Sequence, residues 1–514
     1  MAAFCVAQLH PAFGAASAID AVWIAGPGES APTVVVIGAA VEKIARGKLP
    51  FNLYVIKLEN PEGSDLVFPP TGTAYRENGQ SHFIWRWLGL HAPDLVMVAE
   101  DRDSGLADAL ARNPVAGVGR IPAIRVPVGG DILHAIPKQI ARSEAHEEIA
   151  RRLKRTPHEL AEELSKIYGH DFDQPVYIPA MALISRVRLG QQAEVEALAA
   201  PYLDGRKDSL SNVTGSHLAG HLLFAELADR THDRRYVDRV RAAADLAFTE
   251  SGEMKEAMPM HMEMSDAVFM GCPILASAGA LTGKQIYFDM ALRHLRFMQK
   301  LCLRPDGLYR HSPLNDAAWG RGNAFPALGV SWMLLKMPES YPGYAGVVQS
   351  FKDHIHALEK FQDRDGMWHE VIDQPGSYAE FSATAMIATA MLRGVRRGWL
   401  DRSYLARVQA AWQGVLARVG PGGALVDVCE GTGKQKSLED YLNRGASLGK
   451  DTRGGGMAML LATELEDNPP LHLRASFLGP TDGRKPGSAQ VCRQRPPISS
   501  ARLTQDRAPF GGQI

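Results

Sequence analysis

Between residues 20 and 135, short unbroken apolar runs alternate with polar, Gly/Pro-rich connections. The runs VVVIGAA at 34–40, LYVIKL at 53–58 and LVMVAE at 95–100 are β-branched and brief, as strands buried on both faces are. A helical pattern at 103–112 follows the third run, so the segment predicts an α/β unit built on a mostly parallel sheet. From about residue 136 the period changes. SEAHEEIARRLKRTPHELAEELSKIYG is charged and helical, and Thr156, Pro157 and Glu159 mark a helix start.

Beyond residue 175 the apolar spacing is helical nearly throughout. Candidate helices fall at 176–189, 215–229, 235–249, 267–279, 285–302, 323–336, 345–362, 382–398, 402–418 and 454–464. Asp306-Gly307-Leu308-Tyr309, Asp365-Gly366-Met367-Trp368 and Gly422-Gly423-Ala424-Leu425 recur at intervals of about 55–60 residues, each between helices. One helical hairpin per interval builds an α/α toroid, and the number of candidates predicts a closed six-hairpin barrel rather than an open array. The expected organisation is an α/β accessory domain at 20–135, a helical linker at 136–174 and an (α/α)6 barrel at 175–465. A disordered tail rich in Pro, Arg, Gly and Ser follows at 467–514.

Composition narrows the partners. The chain has 514 residues with 56 basic and 57 acidic side chains and a formal charge of -1. Such a balance provides no general field for nucleic acid or an anionic membrane. Five scattered cysteines without a CxxC pair read neither as a disulfide framework nor as a zinc site. No apolar run reaches the roughly 20 residues of a membrane span. Residues 1–18 end in small residues but lack a basic leader, which favours a cytoplasmic protein, with a periplasmic or secreted one as the alternative if this stretch is a truncated signal peptide. Nothing in the sequence speaks to oligomeric state.

Candidate chemistry gathers in the helical part. Asp266, in Met264-Ser265-Asp266-Ala267-Val268-Phe269-Met270, opens an otherwise apolar helix. A carboxylate there serves either as a helix cap or as a partly buried general acid. Asp306-Gly307-Leu308-Tyr309-Arg310-His311 is followed by Trp319-Gly320-Arg321-Gly322-Asn323, which reads as a loop offering flat and charged groups to a ligand. Glu380-Phe381-Ser382-Ala383-Thr384-Ala385-Met386 has the small residues of a close-packed helix, and Cys429-Glu430-Gly431-Thr432-Gly433 is a Gly-rich loop.

In this order, the segments of residues 175–465 resemble the unsaturated glucuronyl and unsaturated rhamnogalacturonyl hydrolases of glycoside hydrolase families 88 and 105. Asp451-Thr452-Arg453-Gly454 matches their final turn. The resemblance implies removal of a 4,5-unsaturated uronic acid by hydration of its vinyl ether, with no metal or organic cofactor. It implies Asp266 as general acid/base, His311 and Arg321 at the uronate, and Trp319 and Asn323 shaping the pocket. The sequence departs from these families at a second aspartate, where Gly215 stands in Gly215-Ser216-His217-Leu218-Ala219-Gly220-His221. Asp208, His217 or His221 is expected to compensate, and both histidines join the candidate substrate contacts. Sharing a helix face, they would also suit a metal, but a third ligand is lacking. The departure leaves open another α/α-barrel sugar enzyme, an epimerase or lyase, or an inactive glycan-binding scaffold.

The N-terminal unit faintly resembles the zinc carboxypeptidase/deacylase fold at Leu58-Glu59-Asn60-Pro61-Glu62-Gly63 and Arg76-Glu77-Asn78. The metal-binding His-x-x-Glu is absent, since 38–45 reads GAAVEKIA. An accessory domain that packs on the barrel or shapes its cleft is expected. Asn60, Tyr75 and Arg76 are expected in turns and loops, with ligand contact as the alternative.

Overall fold

Strand-forming residues in the N-terminal third build one sheet, β1 (Ile19–Ala25), β2 (Thr33–Ile37), β3 (Asn52–Leu58), β4 (Leu95–Ala99) and β5 (Ala123–Val126), in the order β1-β3-β2-β4-β5. The structure is a computed structural model and describes residues 19–27, 31–38, 49–58, 66–374 and 376–466. Residues 1–18, the expected tail at 467–514 and Asn60 lie outside the described residues. All pairings are parallel except that of edge strand β1 with β3. Alternation along the strands explains their unbroken apolar character. Val35, Ile37, Ile56, Val96 and Val98 face α1 (Gly79–His91) and α2 (Leu106–Arg112). Val34, Val36, Leu53, Val55 and Met97 fill the opposite core with Ile132 and Ile136, near the short α3 (Ile132–Ala135).

Two polar helices follow, α4 (Glu144–Leu153) and α5 (Pro157–Ser165), the latter opened by a Thr156/Glu159 capping box with Pro157 in its first turn. The remaining helices are α6 (Tyr177–Arg188), α7 (Gln192–Leu203), α8 (Gly215–Gly220), α9 (Leu222–Thr231) and α10 (Arg234–Asp245). They continue as α11 (Ala267–Thr282), α12 (Gln285–Cys302), α13 (Gly320–Lys336) and α14 (Tyr344–Glu359). The last are α15 (Phe381–Arg396), α16 (Tyr404–Arg418), the short α17 (Leu438–Leu442) and α18 (Thr452–Glu466).

Packing follows hydrophobicity. Helices α11, α13 and α15 are buried almost all round, as inner helices must be, whereas α10 and α12 carry one apolar face. The inner succession runs α6, α8/α9, α11, α13, α15, α18, and α18 packs back on α6. Helices α7, α10, α12, α14 and α16 lie outside their inner partners. Residues 136–174 were expected as a linker, yet α5 packs on α18 and takes the corresponding outer place. The ring thus joins a helix from before residue 175 to the final helix. Glycines permit the turns of the repeated motif, with Gly307 at φ 87° and Gly366 at φ 79°. Two hairpins complete the helical part, β6 (Trp368–His369) with β7 (Ala379–Glu380), and β8 (Leu425–Cys429) with β9 (Ala446–Gly449).

Candidate active site

The N-terminal ends of the inner helices converge. Asp266 immediately precedes α11, Arg321 lies in the first turn of α13, and Glu380 caps α15. Tyr177, at the start of α6, is buried within electrostatic reach of Arg321, Arg453, Asp266 and Asp451. Desolvation pushes its hydroxyl pKa up to about 12. Converging helix N-termini present unpaired N–H groups and partial positive charge to one space, which favours an anion there.

Asp266 occupies the capping position of α11, but its side chain caps nothing. Its Oδ1 lies 3.2 Å from His311 Nε2, both groups are buried, and neither atom has an aligned hydrogen-bond partner among the described residues. Ser265 fixes the turn before it, since its N–H donates to His311 O at 2.8 Å and its hydroxyl donates to Gly322 O at 2.6 Å. On the far side of the imidazole, His311 Nδ1 is 2.8 Å from the Tyr441 hydroxyl, which accepts the Gln435 N–H at 3.0 Å. If the tyrosine proton is donated to Nδ1, the imidazole carries its own proton on Nε2, the nitrogen nearest Asp266. The arrangement is a carboxyl group beside an oriented imidazole, suited to giving and retrieving a proton.

Trp319, expected to present a flat face, is wholly buried. Its Nε1 donates to Glu370 Oε1 at 2.9 Å, and its ring meets His311 at 4.4 Å and the guanidiniums of Arg321 at 4.9 Å and Arg444 at 4.6 Å. Arg321 donates to Cys429 O at 2.9 Å, Gly431 O at 2.5 Å and Ser382 Oγ at 3.3 Å, and so holds the Gly-rich loop against the helix ends. Its Nε is buried without a partner among the described residues. Asn323, expected to shape the pocket, is instead a backbone staple. Its Oδ1 accepts Tyr309 N–H at 2.8 Å, and its Nδ2 donates to Tyr309 O at 2.8 Å and Trp319 O at 3.0 Å. Its amide is therefore committed to joining the His311 segment to α13.

Glu370 was not singled out from the sequence. It is fully buried, its Oε1 accepts from Trp319 and lies 3.2 Å from Cys429 Sγ, and its Oε2 has no partner among the described residues. Burial first, then Arg444, Glu380 and Arg321 acting in opposed senses, leave its pKa pushed up to about 7. Glu380, by contrast, is saturated by the Ser382 hydroxyl and the N–H groups of Ala383 and Cys429. Trp368-His369-Glu370, one residue after the Asp365-Gly366 turn, was the available signal, but it has no helical period.

The expected substitutes for a second aspartate do not gather at Asp266. Asp208 is exposed and accepts the Leu210 N–H at 2.9 Å. His221 is a core residue rather than a substrate contact. Its Nδ1 donates to His217 O at 2.7 Å, its Nε2 is 3.0 Å from Ser209 Oγ, and burial lowers its pKa to about 4. His217 Nδ1 accepts Thr214 N–H at 3.2 Å within the opening turn of α8, and desolvation lowers its pKa. A Cβ on Gly215 would stand 3.5 Å from Met270 Cγ and 3.1 Å from Met260 O, so this position faces α11 one turn from Asp266. Gly220 admits no side chain, since a Cβ would fall 1.8 Å from Pro175 O. Among the described residues, no group of three or more His, Cys, Asp or Glu is arranged to hold a metal ion. No described helix is long and apolar enough to cross a membrane.

A family model described as Glycosyl Hydrolase Family 88 matches residues 151–468. The unsaturated rhamnogalacturonyl hydrolase YesR of Bacillus subtilis is 26% identical over 249 residues, covering 45% of this chain and 70% of that protein. An unsaturated 3S-rhamnoglycuronyl hydrolase of Formosa agariphila is 32% identical over 98 residues, covering 18% of this chain and 26% of that protein. Among solved structures, a possible member of family GH105 from Klebsiella pneumoniae aligns with a TM-score of 0.51 at 23% identity, over 66% of this chain and 97% of that one. A family 105 glycoside hydrolase of C. acetobutylicum aligns with a TM-score of 0.50 at 19% identity, over 61% of this chain and 99% of that one. These two structural likenesses bear on the fold.

Proposed function

Because the chain belongs to glycosyl hydrolase family 88, and is thereby a glycoside hydrolase, we propose that it removes a 4,5-unsaturated uronic acid from the non-reducing end of lyase-generated oligosaccharides. The reaction runs in a six-hairpin α/α barrel that carries an N-terminal α/β accessory domain. Asp266, protonated, gives its proton to C4 of the vinyl ether, and positive charge develops at C5 and the ring oxygen. The resulting carboxylate then takes a proton from water as the hydroxyl adds to C5. The hemiketal opens to a ketone, and C1 releases the aglycone. No bond to the anomeric carbon is displaced by an enzyme nucleophile, so one carboxyl group suffices.

His311 holds and orients Asp266, and Tyr441 fixes the tautomer that does so. The uronate carboxylate is drawn by the helix N-termini and by donors left open on Arg321 Nε and Arg444 Nη1. Trp319 acts from beneath, positioning His311 and both guanidiniums. His217, in the opening turn of α8, contributes to the wall around Gly215. The observation that carries the reading is the uncapped, buried Asp266 carboxylate 3.2 Å from His311 Nε2.

Its test follows the double-bond absorbance of unsaturated disaccharides generated by several polysaccharide lyases. Loss of absorbance with the wild-type protein and none with Asp266→Asn is expected, and the preferred disaccharide identifies the polymer. Equal rates with both proteins would remove Asp266 from the acid role.

A further inference from the structure

The sheet domain meets the helical part at a buried carboxylate. Asp427 sits in β8 where the pairing with β9 shifts register, and its backbone is left-handed at φ 65°. Aspartate tolerates that conformation better than most non-glycine residues, and its partners hold it there. Here the partners come from the N-terminal domain. The Tyr75 hydroxyl lies 3.1 Å from each Asp427 oxygen, and Arg86 of α1 forms a buried ion pair with Oδ1. The same guanidinium donates to Ala446 O at 3.2 Å and Ser447 O at 3.3 Å, so one side chain ties both strands of the hairpin. Tyr75 stacks on Tyr378 with centroids 4.6 Å apart and planes at 11°.

The chain between β8 and β9 carries the groups that orient the reacting end. Gly431 O takes Arg321, Tyr441 holds His311 Nδ1, and Arg444 lies over Trp319. We propose that Tyr75 and Arg86 are positioning residues of the glycosidase, which fix Asp427 and so set the β8–β9 segment that aligns His311 with Asp266. The N-terminal domain is then a working part of the site, not an appended module. The proposal rests on the hydrolase reading given above.

Arg86→Gln would strand Asp427 as an unpaired buried charge and endanger folding, so Tyr75→Phe is the decisive variant. It loses one hydroxyl and keeps the ring stack. In the full chain, Tyr75→Phe is expected to lower kcat roughly tenfold while leaving KM nearly unchanged, because a misplaced catalytic group costs rate more than binding. Amide hydrogen exchange across residues 429–445 is expected to quicken while that of α11 stays as in the wild type. Tyr441→Phe cuts the route downstream, so the double variant is expected to be no slower than Tyr441→Phe alone. Multiplied losses, or a wild-type kcat in Tyr75→Phe, would overturn the proposal. Should the wild-type protein hydrate no unsaturated disaccharide, the hydrolase reading alone falls. The exchange of 429–445 then decides: quickened exchange supports the positioning role, and unchanged exchange overturns it.

Discussion

The two ends of the inner helices bury carboxylates under opposite electrostatic rules. At the C-terminal end, Glu464 of α18 meets Arg393 at 2.8 Å, Arg188 at 3.0 Å and Arg396 at 3.0 Å. Desolvation opposes its charge, yet the arginines prevail and lower its pKa to about 2. At the N-terminal end, Glu370 is equally buried, but desolvation prevails with Glu380 nearby, and its pKa rises to about 7. A saturated carboxylate holds helices together, whereas one left short of partners can change protonation near neutrality. Asp266 differs from Glu464 in its contacts, since its Oδ1 has no aligned partner among the described residues.

The largest expected effect breaks the saturated end. Glu464→Gln takes the counter-charge from the buried Arg393 and weakens the pairing of the partly buried Arg188 and Arg396, and should destabilise the protein by about 3–5 kcal/mol, read from denaturant unfolding. Its kcat per folded molecule should remain that of the wild type, because the change lies at the far helix ends. Next, His311→Gln attacks the unsaturated end. Steady-state kinetics should show kcat lower by roughly 10- to 100-fold, with a small change in Tm, since the imidazole orients a proton donor.

Glu370→Gln sharpens the comparison through pH. The folded-state pKa of Glu370 lies above its ordinary value of 4.5, so ionising it weakens the fold. The wild type should lose stability as pH rises from about 4.5 through 7, and the variant should lose less, giving Tm curves that diverge toward alkaline pH. The smallest effect has the opposite sign. His221 is depressed to about 4 from 6.5, so the unfolded chain gains its proton first as pH falls. Stability should decline from pH 6.5 toward 4, and His221→Gln should remove that slope from the thermal unfolding curves.

Regular burial was legible from the sequence and irregular burial was not. Helix α12 has the predicted bounds, 285–302, because one apolar face repeats over its whole length. Helix α1 escaped because it buries Gln80, Ser81, His82 and Arg86 beside its aromatics, which hides the period. Helix α7 contains Pro201 and many alanines, so it shows little contrast between its faces. Trp319-Gly320-Arg321-Gly322-Asn323 reads as a loop, yet it opens α13, its start fixed by Gly320 N–H on Glu370 O at 2.6 Å and Asn323 N–H on Trp319 O at 3.0 Å. That tertiary hydrogen bond has no local signal.

At the site, the motif order located Asp266, His311, Trp319 and Arg321 in one region, and the structure brings them together. Glu370, Tyr441 and Arg444 were not singled out because short hairpins and the chain they enclose deliver them. Tyr75 and Arg76 both lie in a turn, as expected, but the Tyr75 side chain is a buried link between domains while Arg76 is exposed with its N–H on Thr73 O. The families' pattern also predicted a carboxylate near His217 that the structure does not supply from Asp208 or the histidines.

The most direct test of the account measures kcat and Tm together for Asp266→Asn. An acid catalyst that caps nothing predicts a rate lower by roughly 100- to 10,000-fold with Tm unchanged or raised. Near-normal turnover with a lowered Tm would make Asp266 a structural helix-end residue and contradict the account.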